Sequence, residues 1–535
     1  MHLRLAALSL ALVICACTKD STPNPYPACG TSQPPRGALL AGPDEQGHDA
    51  ALAKLARQYD RQFAALGSGS TGVTADAELV ADAAKREQLT RFLRDEDGWT
   101  FDAGSVVKSW GKAAGLYAGM GIVADAYRYG VLRNAGATCG EVEQARQQLV
   151  RGLKGLHLAS EITGVPGVIA RGFARRDQAG GEGYEVTPLF DGQGRPLPLE
   201  KSNGTWRADN SGKHPEYVWE DSCSRDMLLG WAAAFGAVGE IVLDDPSFDA
   251  GLKDALRADA TALARELMKV RESGYDLEIP DADGRTTFHG YINENNLDRA
   301  YLPGVRNGFY AAMALGIVGA LAKVSGEADV RAYLVNELIG KRALPSLVAD
   351  GMSLVYVGAK TNGSNVNMAF TSVWLALRTI DDAPTRETLK AALRDQLYAP
   401  DVTMWKPSEL GQSLFDFMAA AYGADASAVK RGLATLREFP APPYFNVGRI
   451  NCDEAELAAK QCVLEDGSTV EIDDDPARGG DVQSTTPLPM RVRPPSNYWW
   501  RSNPYAVNGD GDQATLLSGV DFRAAYWIGR WTRKE

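Results

Sequence analysis

Two kinds of apolar pattern alternate along this chain. Some stretches carry apolar residues every three or four positions, the mark of a helix with one face in a core. Leu52, Leu55, Tyr59, Phe63 and Leu66 form such a stripe between Asp44 and Leu66, and a second amphipathic helix is expected over about 77–93. Others are apolar on every side and rich in Gly and Ala. Ser109–Leu132 is one, 224–243 another, followed by 308–322, Met368–Leu377 and Ser413–Tyr422, and the chain closes with Gly519–Trp531. Between them lie the amphipathic or mixed segments 141–163, 249–272, 328–348, 385–397 and 425–437. A helix apolar all round must lie inside other helices. The alternation, about six times over, therefore predicts two concentric rings, with inner helices enclosed by outer ones.

Two stretches break the rhythm. Within an insertion spanning 177–218, Tyr184-Glu185-Val186, the turn Asp191-Gly192-Gln193-Gly194 and Asn203-Gly204 predict β-hairpins. Residues 439–505 form a Pro-rich excursion with an acidic run at Asp473–Asp475. Long ordered loops in compact domains are often functional. Cys452 and Cys462 bracket a short polar loop there and are the expected disulfide.

The first residues change the picture of where this domain works. Arg4 and the apolar run Leu5–Ile14 resemble a signal peptide, too short to span a bilayer. Ile14-Cys15-Ala16-Cys17 resembles the lipobox of bacterial lipoproteins, with Cys17 in the modified position. Residues 1–16 are then the signal peptide, 17–43 a lipidated flexible tether, and 44–535 one domain. Thr18 follows the Cys, where Asp would mark inner-membrane retention. The expectation is an outer-membrane lipoprotein of a Gram-negative bacterium, periplasmic or surface-facing and anchored without spanning the membrane. That compartment permits disulfides.

Composition, with 45% hydrophobic and 23% charged residues, is ordinary for a globular protein. The net charge of -12 argues against nucleic acid as a partner. Five scattered histidines do not make a His-rich metal site. Asn508, Asp510 and Asp512 alternate like calcium ligands, but the EF-hand pattern fails at Gln513 and Gly519. No cofactor is expected.

The helical hairpins from about 95 to 531 resemble the six-hairpin (α/α) toroids of glycoside hydrolases and polysaccharide lyases. Three local stretches carry the likeness to uncharacterised bacterial members: Pro166–Gly172, Asp221–Asp226, and Gly519-Val520-Asp521-Phe522 with Tyr526-Trp527. The resemblance implies an all-α (α/α)6 toroid with small inserted hairpins, and a site in the cleft at the toroid's mouth. Hydrolysis needs two carboxylates. Asp221 and Asp226 lie where a loop leads into the inner helix at 224, and Glu294 lies before the helix at 308. These three are the candidate acid and base. Asp221 and Asp226 are equally suited to capping that helix. Trp219, Arg171, Asn293, Asn295, Tyr498, Trp499, Trp500 and Arg501 are the candidate sugar-binding residues, through stacking, amides and guanidinium forks. Three readings follow: a glycoside hydrolase, a non-catalytic glycan-binding or envelope scaffold protein, or a polysaccharide lyase with Tyr498 or Tyr217 as base and Arg171 as neutraliser.

Overall fold

The computed structural model describes residues 37–69, 71–94, 101–352, 363–400, 406–423, 427–473, 483–494 and 503–535. Fifteen α-helices dominate them. They are α1 (Ala50–Gln62), α2 (Ala83–Arg94), α3 (Gly115–Asn134), α4 (Cys139–Glu161), α5 (Arg225–Ala237), α6 (Ala250–Leu267), α7 (Gly308–Ser325) and α8 (Ala328–Ala332). There follow α9 (Leu344–Gly351), α10 (Gly363–Thr379), α11 (Ala383–Ala391), α12 (Ser413–Ala421), α13 (Ala428–Arg437), α14 (Glu454–Ala458) and α15 (Val520–Trp531).

Six of these helices are buried nearly all round, and they are the five apolar stretches of the sequence and its closing segment. α3 packs on α5, α5 on α7, α7 on α10, α10 on α12, α12 on α15, and α15 returns to α3. The contacts form a closed cycle. Five of the six are backed from outside by a helix: α3 by α4, α7 by α6, α8 and α9, α10 by α11, α12 by α13, and α15 by α1. α7 alone among the described residues is long and apolar enough to cross a membrane, yet its apolar window is 94% buried. Its partners, not lipid, cover it.

Glycine sets the spacing inside. A Cβ on Gly119 would stand 1.8 Å from the Gly230 carbonyl oxygen, and one on Gly316 would stand 2.5 Å from that of Ser372. The α3–α5 and α7–α10 crossings therefore need backbone against backbone. The first helix closes on the last: Tyr59 of α1 stacks on Phe522 of α15 at 4.3 Å. Beside them Arg523 Nε donates to Asp60 Oδ1 at 2.8 Å.

Short strands bind the loops at the starts of these inner helices. One antiparallel sheet runs in the order Ala113–Ala114, Gly172–Arg175, Tyr217–Glu220, Trp206–Ala208. Another runs Phe445–Asn446, Asp512–Leu516, Ala77–Leu79, Val107–Trp110. Two expected helices thus begin later than periodicity predicts, because 77–79 and 107–110 are strands. In the 177–218 insertion the Asp191–Gly194 turn exists with a single bridge, Phe190 to Pro196. Tyr184–Val186 is not a strand. The true hairpin joins Trp206–Ala208 to Tyr217–Glu220. Cys452 and Cys462 form a disulfide, their Cα atoms 5.4 Å apart, in a small core with Leu464, Ile472 and Leu488.

Candidate functional site

The loops leading into α3, α5 and α7 meet at one rim. Gly115 N donates to Arg171 O at 2.9 Å, and Arg171 N donates to Glu220 O at 2.8 Å. Across the next gap, Thr287 Oγ1 donates to Cys223 O at 3.2 Å. The first residue of α5, Arg225, pairs with Asp298 at 3.5 Å and lies over the Tyr310 ring of α7 at 5.2 Å.

The candidate carboxylates have separate fates at this rim. Asp221 is buried. Its Oδ1 accepts from Thr205 N at 2.8 Å, while Oδ2 accepts from Arg207 Nε at 2.8 Å and lies 3.6 Å from Lys201 Nζ. Lys201 also pairs with Asp281, whose Oδ2 accepts from Ser222 N at 3.0 Å. Burial, then the neighbouring Asp221 charge, push the Asp281 carboxyl up to about 6. Glu294 is buried as well, with Arg342 at 3.4 Å and Arg306 at 3.7 Å. Asp221 and Glu294 thus lie in two distinct ion clusters, each holding a loop in place. Asp226 is the half-buried one of the three. Ser224 Oγ donates to it, and Arg171 donates to Ser224 Oγ at 2.7 Å.

The candidate binders divide in the same way. Trp219 is fully buried and gives its indole N–H to Ala208 O at 3.0 Å, so it offers no stacking face to a ligand. The cause is strand alternation, which sends successive side chains to opposite faces. Trp219 points into the core, and Glu220 points toward Lys112 and Arg171. Asn293 and Asn295 spend their amides on each other and on Asp276. Arg171 stays at the rim, donating also to Ser222 O at 3.2 Å. Tyr498, Trp499, Trp500, Arg501 and Cys17 lie outside the described residues. The calcium-like spacing of Asn508 and Asp512 is engaged within the chain. Asn508 Oδ1 accepts from Asn451 N and Cys452 N, and Asp512 accepts from Ala514 N and Thr515.

Several rim residues were not singled out in the sequence. His289 lies by Asp298 at 3.7 Å, and burial followed by the Arg225 charge lowers its pKa below the usual histidine value. The imidazole is therefore neutral at neutral pH. Arg299 stacks over Phe288 at 4.1 Å. Tyr275 stacks on Tyr301 at 3.9 Å, with Tyr291 edge-on at 6.1 Å. These aromatics are half-buried, as a sugar platform requires. Polar capacity is left over too. Arg225 Nη1, His289 Nδ1, Ser222 Oγ and both amide atoms of Asn296 are buried without a hydrogen-bond partner among the described residues. Backbone strain gathers in the same place. Of five non-glycine residues with positive φ, Ser222, Leu277 and Asp298 lie in the rim segments, and Ala343 adjoins Arg342. Such strain clusters at functional sites. Ser222 and Arg225 fall in the Asp221–Asp226 stretch; of the others, only His289, one of five histidines, is rare enough to have drawn notice.

No protein-family model matches the chain, and no curated protein matches it. Among solved structures, one similar chain is the cellulase Cel9M of C. cellulolyticum, 9% identical, covering 91% of this chain and 98% of that one at a TM-score of 0.39. A likeness of that size leaves the architecture to be argued from the helices themselves.

Proposed function

We propose that this protein acts on a carbohydrate, as a glycoside hydrolase on an (α/α)6 toroid. The closed cycle of six inner helices, five of them backed by an outer helix, supports the toroid. The observation that carries the function is the convergence at the rim. Asp226, half-buried and oriented by Ser224, adjoins Arg225, which reaches Asp298 at 3.5 Å; Asp298, exposed and coming from the α7 side, lies 3.7 Å from His289. Two carboxylates from two loops are what glycosidic hydrolysis needs. Asp221 and Glu294 are reassigned to positioning, since buried ion pairs occupy them. Phe288, Tyr291 and Tyr301 supply the apolar faces for sugar rings.

A polysaccharide lyase is the second reading. It is favoured by one feature, a neutral His289 beside Arg225 and Arg299, which joins a base to neutralising charge. A panel of neutral and acidic polysaccharides, with product analysis, separates the two. Reducing ends without a new double bond mark hydrolysis; an unsaturated, ultraviolet-absorbing end marks elimination. Asp226→Asn and Asp298→Asn are expected to cut hydrolytic turnover at least 100-fold. Turnover equal to wild type in both moves the protein to the binding or scaffold reading.

The anchor belongs to the same proposal: a lipid on Cys17 holds the domain at the outer membrane, its mouth facing glycans. Cys17→Ser is expected to release the chain from membranes. Membrane association and lipid labelling that survive the change rule the anchor out.

A further inference from the structure

A groove of about 1250 Å³ opens in the outer layer between α1 and α4, with α3 and α15 as its floor. It shares no residue with the rim. Small ligands fill roughly 300–1,000 Å³, so this volume suits an oligomer. Six arginines line it, Arg57, Arg61, Arg128, Arg146, Arg151 and Arg530, against three lining carboxylates, with Arg128 paired to Asp60 and Arg146 to Glu143 beside the groove. In a chain of net charge -12 this is a local reversal of sign. Guanidinium forks match carboxylate, sulfate and phosphate groups.

One of the three carboxylates narrows the ligand. Asp60 is 5% exposed and sits on the groove floor. Its Oδ1 is satisfied by Arg523 Nε at 2.8 Å and Trp527 Nε1 at 3.2 Å. Its Oδ2 has no hydrogen-bond donor among the described residues, although Arg128 Nε lies 3.1 Å away as an ion pair. A buried acceptor left without a donor is costly. A ligand hydroxyl would complete it. A purely anionic ligand would meet repulsion from Asp60, and a neutral polyol would gain nothing from the positive charge of the lining.

We propose that this groove is a second glycan-binding site, for an acidic oligosaccharide that offers hydroxyls to Asp60 and anionic groups to the surrounding guanidiniums. The site stands apart from the rim, so it does not depend on the hydrolase reading. Calorimetry on the full-length protein tests it, with oligogalacturonate, a sulfated oligosaccharide and an uncharged oligosaccharide as probes. The two acidic arms tell carboxylate from sulfate recognition, and binding of either with the uncharged probe silent supports the site. Affinity is expected to fall as salt rises. Arg128→Gln, and separately the double change Arg57→Ser/Arg151→Ser at exposed positions, are expected to weaken binding at least tenfold. Asp226→Asn is expected to leave it unchanged. Where Arg128→Gln fails to fold by circular dichroism, the double variant decides. Groove variants that bind like wild type, loss of binding in Asp226→Asn, or binding only to nucleic acid or anionic vesicles would each overturn the proposal.

Discussion

The two ends of the inner helices are built to opposite specifications. At the C-terminal end, Glu240 lies just past α5 and gathers three neighbours. Arg378 at the end of α10 pairs with it, Tyr127 of α3 donates at 3.0 Å, and Trp531 at the end of α15 donates at 2.6 Å. Tyr127 stacks on Trp531 at 5.7 Å. None of these four side chains has a buried polar atom lacking a partner. At the N-terminal end, strained residues and unspent donors accumulate around Asp226 and His289. One end is a polar plug with a cavity of about 320 Å³ beside it, and the other has capacity to spare. Chemistry needs groups that are still available, which favours the N-terminal end.

The plug gives the largest effect. Glu240→Ala would leave the half-buried Arg378 guanidinium without its carboxylate and strip two further donors of their acceptor. Breaking a buried pair from one side typically costs about 3–5 kcal/mol. Chemical denaturation should show a loss of that size, with a small or absent change in denaturant slope. A loss under about 1 kcal/mol would mean the C-terminal end is not a tightly packed seal.

Asp221→Asn probes the division within the rim itself. Asp221 and Arg207 are both buried, and Arg207 donates besides to the carbonyls of Thr187 and Pro188. Those carbonyls soften the loss, so about 3 kcal/mol is expected. Turnover per folded molecule should stay near wild type. A stable variant with turnover abolished would return Asp221 to the catalytic role the sequence offered it.

That pair also shows what sequence can and cannot carry. The inner helices were legible because apolar residues on every side have no other solution than burial. The late starts of α2 and α3 were not. Ala77 pairs with Leu516 across the whole domain, and no local pattern announces so distant a strand partner. The loop before α5 was legible as chemically loaded. Its sorting was hidden, because Arg207 reaches Asp221 through a hairpin and Arg342 reaches Glu294 from beyond α7. Asp298 and His289 are single residues in short strands and turns, and only packing makes them neighbours.

A smaller effect comes from pH. Asp281 is held at about 6, above its ordinary value of 3.8. Folded protein therefore binds more protons than unfolded chain between about pH 4 and 6. By linkage, this group makes stability fall as pH rises through that window and then level off. One proton allows a slope of at most about 1.4 kcal/mol per pH unit. Asp416, pushed up to about 7 by burial, adds the same sign over about pH 4 to 7. Stability curves of Asp281→Asn should be flatter than wild type from pH 4 to 6, with Asp416→Asn flatter up to 7. Curves that keep the wild-type slope in both variants would place the pH dependence elsewhere.

Asp226→Asn should move stability least and activity most. Its side chain is half-buried, receives one hydrogen bond from Ser224, and has no cation paired with it among the described residues. Asparagine keeps the shape and an acceptor oxygen for Ser224. It gives up only the carboxylate's attraction to the α5 N-terminus, worth about 0.3–1 kcal/mol. The melting curve should therefore lie close to wild type, while hydrolysis of a responsive polysaccharide falls at least 100-fold. Ser224→Ala gives the intermediate case. It frees Asp226 to rotate and removes an acceptor from Arg171, so kcat should drop several-fold while KM holds. A variant that loses several kcal/mol at Asp226 would show that this carboxylate is a structural cap, and the rim would then resemble the plug in being fully spent.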